Sequence, residues 1–138
     1  MAFRRVAGKT KFMWFPVTVS TALSNGSLVE LTSGQIAACD ADETTAIAGV
    51  LRHAIAATDA DYATAREVEV EVPVEKHVVW EADATAATFV ASDVGTEYGN
   101  SDALLIDRTE TSAKCFLLTK VITASKIQGF LKINLGLY

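Results

Sequence analysis

The chain has 138 residues, of which 50% are apolar and 21% charged, which suits one folded domain and excludes a wholly disordered chain. Its net charge is −5, yet the first 29 residues carry Arg4, Arg5, Lys9 and Lys11 and no acid, and all 17 acids follow from Glu30 onward. An acidic body disfavours duplex nucleic acid, because phosphate binding rests on clustered Lys and Arg, and the basic segment is expected to dock on an acidic protein surface.

Residues 1–15 read as an extended N-terminal arm, with residues 16–138 as a single β-rich domain. The arm combines its four cations with Phe12, Trp14 and Phe15, the usual composition of interface anchors. The competing reading makes residues 12–15 the first strand, with the aromatics divided between core and surface. A basic stretch followed by Phe12, Met13, Trp14 and Phe15 imitates a secretion signal. Pro16, Thr18, Ser20 and Thr21 break it too early, and no run approaches the roughly 18 apolar residues of a membrane span. The expectation is a soluble protein kept where it is made.

Asn25 and Gly26 mark a turn, and residues 27–32 alternate as a strand. Residues 35–44 read as a surface excursion, followed by an apolar run over 46–51. Thr58, Asp59 and Asp61 resemble a helix start, which predicts at most a short helical turn near 59–65. The clearest element spans 66–74, where Val68, Val70, Val72 and Val74 alternate with Glu67, Glu69, Glu71 and Pro73. That period of two predicts a half-buried strand, ending or lying at an edge near Pro73.

A further strand is expected over 77–80 and a turn-dense stretch around Asp93, Gly95, Gly99 and Asn100. Runs over 103–106, 114–122 and 127–135 follow at the spacing of a β-barrel or sandwich, with 107–113 as a hairpin connection. The predicted class is all-β, with about eight strands and at most one or two short helices. Its 22 alanines argue mildly for helix, but they lack helical spacing and sit beside Thr and Asp. No internal repeat is visible.

The residues that could carry chemistry do not converge in sequence. His53 and His77 form no zinc-ligand pattern, and Cys39 and Cys115 stand 76 positions apart, which suits buried thiols and leaves their pairing open. Neither a nucleophile elbow nor a phosphate loop is present. Asp40, Asp42 and Glu43, and Asp59 with Asp61, lack the spacing of a calcium loop. The reading is therefore a non-enzyme with no metal and no cofactor. Glu67, Glu69 and Glu71 form either a solvated face or an acidic ridge that meets basic groups on a neighbouring subunit.

Two stretches resemble the small head-decoration, or cement, proteins of tailed bacteriophages. One runs Gly26-Ser27-Leu28-Val29-Glu30-Leu31, Gly34-Gln35-Ile36 and Ile47-Ala48-Gly49-Val50-Leu51. The other runs Val78-Val79-Trp80-Glu81-Ala82-Asp83, Asp93-Val94-Gly95, Leu105-Ile106-Asp107, Phe116-Leu117-Leu118-Thr119-Lys120-Val121 and Lys132-Ile133-Asn134-Leu135. The match is one of pattern and order over most of residues 26–135.

The resemblance implies a β-barrel or β-tulip-like domain on the outer surface of the virion, where it would bridge and stabilise subunits of the major capsid protein. It also implies a homo-oligomer, a trimer by preference, made in the host cytoplasm, with no direct nucleic-acid or membrane partner. The candidate interface residues are Arg4, Arg5, Lys9, Lys11, Phe12, Trp14, Phe15, Glu67, Glu69 and Glu71. The alternatives are a head–tail or tail module, and a carbohydrate- or ligand-binding barrel using Trp80 and Tyr98.

Overall fold

The Val–Glu alternation folds as a strand: in a computed structural model, β6 (Arg66–Pro73) buries Val68, Val70 and Val72 and ends at its proline, leaving Val74 outside it and exposed. Residues 3–40, 47–64, 66–84 and 88–132 are described. Around β6 the first half of the chain supplies β2 (Thr10–Val17), β3 (Leu28–Thr32), β4 (Gln35–Ala38) and β5 (Ile47–Leu51). These five strands close into a barrel in the order β2-β4-β3-β5-β6. Its interior holds Val17, Val29, Ile36, Ala48 and Leu51 beside the three β6 valines.

The second half supplies β7 (Val79–Ala84), β8 (Glu97–Asn100), β9 (Leu105–Asp107), β10 (Phe116–Thr123) and β11 (Lys126–Leu131). They form a sheet in the order β7-β11-β10-β8-β9, and a parallel pairing of β9 with β7 returns the sheet to its start. This ring surrounds Trp80, Ala82, Tyr98, Ile106, Phe116, Leu118 and Ile127. The protein is all-β, with a single 3-10 turn at Ala91–Asp93 among the described residues.

The two rings have the same topology. In each, the first strand pairs in parallel with the third and antiparallel with the fifth, and the second pairs antiparallel with the third and fourth. The fourth and fifth strands pair antiparallel as well. Thr10 and Val79, Leu28 and Glu97, and Ile47 and Phe116 open equivalent strands at one spacing of 69 residues. No residue is identical between these strand pairs at that spacing, so the repeat is one of topology and escapes a reading of the sequence.

The rings are packed together through β3 and β5. Leu28, Ile47 and Val50 turn away from the first barrel and join the core of the second, while Val29, Ala48 and Leu51 face the first. A strand buried on both faces needs apolar residues at every position, which is why β5 reads as the continuous run Ile47-Ala48-Gly49-Val50-Leu51. Leu28 N–H donates to the Ala103 carbonyl across the junction, and Asn100 Nδ2 donates to the Asp40 carbonyl.

The segment expected to be a free arm is built into both barrels, and its expected boundary at 15/16 falls inside β2. A strand β1 (Arg4–Ala7) pairs antiparallel with β7, and β2 is fully laddered to β6. Phe3 is buried in the second core. Gly8 makes the switch from one barrel to the other at φ +95°, and a Cβ there would stand 2.8 Å from Val78 Cα.

Other expectations also change. The excursion expected over 35–44 contains β4, anchored by buried Ile36, and residues 41–44 lie outside the described residues. Residues 57–64 turn without forming a helix, because Asp59 accepts from Ala56 N–H and Arg66 instead of capping one. The stretch taken as turns contains β8. The connection after β9 is no hairpin, since β9 pairs with β7 and β8 and not with β10.

Candidate functional site

Inward and outward positions alternate along β2. Met13, Phe15 and Val17 point to the first core, and Phe12 and Trp14 point outward with exposures of 49% and 57%. These are the two most exposed aromatic side chains among the described residues. The β6 ladder sets Phe12 beside Glu71, Trp14 beside Glu69 and Pro16 beside Glu67. Aromatic and acidic features that lie more than 50 positions apart in sequence thus share one outer face.

The three glutamates are not equivalent. Glu71 is only 3% exposed. Arg5 Nε donates to its Oε2 at 2.7 Å, Arg52 Nε to Oε1 at 2.7 Å and Thr10 Oγ1 to Oε2 at 2.6 Å. Burial pushes this carboxyl up, and the donors Thr10, Arg52 and Arg5 together outweigh burial and hold it below its usual range. Glu71 therefore belongs to an internal clasp and leaves the candidate interface. Arg5 shares the clasp, its guanidinium tying β1 to the first barrel while its backbone pairs with Trp80 of the second, and its side chain stays 42% exposed.

Glu69 Oε1 lies 3.4 Å from His53 Nε2, and the His53 ring stacks at a tilt of 30° on Trp14, with centroids 5.9 Å apart. Trp14, His53, Asp61, Arg66, Glu67 and Val68 border a shallow groove of about 180 Å³. Arg66 pairs with both Asp59 and Asp61, which explains that acidic cluster without an ion. Arg4 lies on β1 with its guanidinium 2.9 Å from Glu81, away from this face. Its hydrogen bond is the main force holding the Glu81 carboxyl below its usual range. Phe15 packs against the first core, while Lys9, Lys11 and Glu67 are exposed.

No family model, curated protein or solved structure matches the chain. The face is accordingly judged on its geometry. Of the ten candidate residues, it gathers Phe12, Trp14, Glu67 and Glu69, and sequence reasoning missed His53, which joins Trp14 to Glu69.

The Trp80 and Tyr98 pair offered for a ligand-binding barrel is 1% and 4% exposed, so neither ring can stack on a sugar from solvent. Cys39 and Cys115 are both buried, and among the described residues no three His, Cys, Asp or Glu side chains gather to hold a metal ion.

The other edge of β2 completes the geometry. Among the described residues its only ladder pair on that side is Val17 with Ile36 of β4, so the backbone from Thr10 to Pro16 faces outward unpaired. The inward residues behind this edge, Met13 and Phe15, are half-buried; at the 69-residue spacing their counterparts on β7 are Ala82, which is fully buried, and Ala84, which is also half-buried.

Proposed function

We propose that this chain is a structural virion protein that attaches to the outside of a tailed-phage capsid and bridges and stabilises its major capsid subunits. The identity of the assembly rests on the pattern resemblance to head-decoration proteins. The docking role rests on one observation: Phe12 and Trp14 stand exposed on a strand whose far edge, from Thr10 to Pro16, has no ladder partner among the described residues. Exposed aromatics beside a polar rim are the anchors that protein interfaces bury, and a few such residues carry most of an interface's energy.

A protein that binds only the mature lattice stabilises that lattice by mass action, and attachment to several subunits at once multiplies weak contacts. Co-sedimentation with expanded capsids of the phage that encodes the chain tests this. The wild-type protein sediments with the shells and raises their melting temperature. A Phe12→Ala/Trp14→Ala variant with unchanged melting of its own binds at least about tenfold more weakly. Wild-type protein that stays in the supernatant with every such shell overturns the proposal.

A further inference from the structure

The repeated topology makes one vacancy visible. In the second barrel, β1 lies against the N-terminal half of β7, antiparallel, with Arg5 opposite Trp80 and Arg4 opposite Glu81. β9 takes the same edge of β7 further along, at Asp83 and Ala84. In the first barrel, β4 takes the corresponding end of β2, at Val17, and the place corresponding to β1 is empty among the described residues.

The chain itself cannot fill it by the same route. At the repeat spacing of 69 residues, the segment corresponding to residues 4–7 is 73–76, and those residues form the end of β6 and the turn into β7. The result is an open wall. Lys11, Phe12 and Trp14 are exposed and Met13 and Phe15 half-covered, whereas on β7 the positions equivalent to Thr10, Lys11 and Phe12, namely Val79, Trp80 and Glu81, are covered by β1.

We infer that the edge of β2 from Thr10 to Pro16 is a strand-acceptor site, and that its occupant is an extended, Arg- or Lys-bearing segment of a capsid subunit, antiparallel to β2. This inference rests on the proposed capsid attachment for the source of the segment, but the acceptor geometry stands without it. Three features set the chemistry of the occupant. The outward-facing backbone groups of β2 on this side are free to pair with an added strand, which is the logic of β-augmentation.

Phe12 and Trp14 with Glu67 and Glu69 behind them favour cationic side chains at alternate positions, which can lie over the indole and reach the acids. β1 is the internal example, an antiparallel strand whose two arginines pair with Glu81 and Glu71.

Hydrogen exchange of the full chain, free and capsid-bound, tests the inference together with a peptide probe. In the bound state, amides of residues 10–15 that exchange quickly in the free protein become at least about tenfold more protected, while β7 changes little. The probe is an acetylated, amidated peptide with the sequence of residues 3–8, added at about millimolar concentration to isotope-labelled protein. It shifts the amide signals of residues 10–15 and the Trp14 indole, and a version with both arginines replaced by glutamate shifts them far less. Trp14→Ala weakens the peptide response without lowering the melting temperature.

Capsid binding without protection at 10–15, or a peptide response absent there, overturns the acceptor site and leaves capsid attachment standing. A peptide response at 10–15 with no capsid binding keeps the acceptor and removes the capsid as its partner. Protection at 10–15 accompanied by a mass of twice 14.7 kDa in the absence of capsid assigns the edge to a second copy and overturns the named occupant.

Discussion

The two barrels share a strand order and differ in what closes them. The second has a sixth strand, β1, across the first strand of its ring, and Trp80 and Ala82 behind it are 1% exposed. Among the described residues the first has only the single β2–β4 pair on the same edge, and Met13 and Phe15 remain half-buried. Equal topology therefore does not give equal closure. The difference lies in where the chain can spare residues, since the segment ahead of β2 is long enough to form β1 and the segment ahead of β7 is not. A complete wall makes the second barrel the structural half, and an incomplete wall makes the first barrel the one with surface to offer.

Removing β1 is the most severe way to break this comparison. Deleting residues 2–7 opens the second barrel as the first is open, takes buried Phe3 from the core and leaves Glu71 without Arg5. The combined loss exceeds about 5 kcal/mol, on the scale of a whole domain's stability, so the deletion variant is expected to lose cooperative melting in circular dichroism. Retention of a wild-type melt would restore the view of this segment as a free arm.

Single substitutions then sharpen the contrast between the walls. Trp80→Ala empties a buried site and is expected to destabilise by about 4 kcal/mol, while Phe15→Ala on the open wall costs about half as much. Urea unfolding reads both, and equal losses would mean that β2 is as well covered as β7.

The clasp at Glu71 comes next. Glu71→Gln leaves Arg5 and Arg52 facing a neutral group and is expected to cost about 3 kcal/mol at neutral pH. Because the folded carboxyl titrates below its usual range, its stabilising effect is present above the unfolded value of about 4.3 and is lost as pH falls through the lower folded value. The gap between wild type and variant should therefore shrink on acidification below about pH 4, and a gap that is constant with pH would exclude the ionised clasp.

Elements with a strong period or an unbroken apolar run were legible in the sequence. β6 shows its two faces as Val and Glu, and β5 shows burial on both sides as a run without a polar residue. β8 was hidden because its residues look like a turn. Gly99 is there because a Cβ would come within 2.2 Å of the Ala113 carbonyl oxygen, and buried Asn100 bridges the carbonyls of Asp40 and Asp102. Phe12 and Trp14 are exposed, and of the two readings of residues 12–15 the first strand with its aromatics divided between core and surface is the one β2 shows, although a strand with large residues on both faces has no visible alternation. Glu71 could not be told from Glu67 and Glu69, because only the folded chain brings Arg5 and Arg52 to it.

The smallest expected effect separates the two arginines of β1. Arg4 reaches Glu81 at the same kind of distance as Arg5 reaches Glu71, 2.9 against 2.7 Å, so geometry alone would rank them nearly equal. Their surroundings do not. The Arg4 side chain is 58% exposed, and Glu81 also has Lys126 at 3.8 Å and Gln128 Nε2 at 3.2 Å, so losing one partner leaves neither group stranded. Water and salt screen such a pair, and Glu81→Gln is expected to cost under about 1 kcal/mol and less still in high salt. A loss matching that of Glu71→Gln would mean that β1 is held equally at both arginines. The expected inequality instead places the hold of β1 on the first barrel at Arg5, while its hold on the second is the backbone ladder to β7.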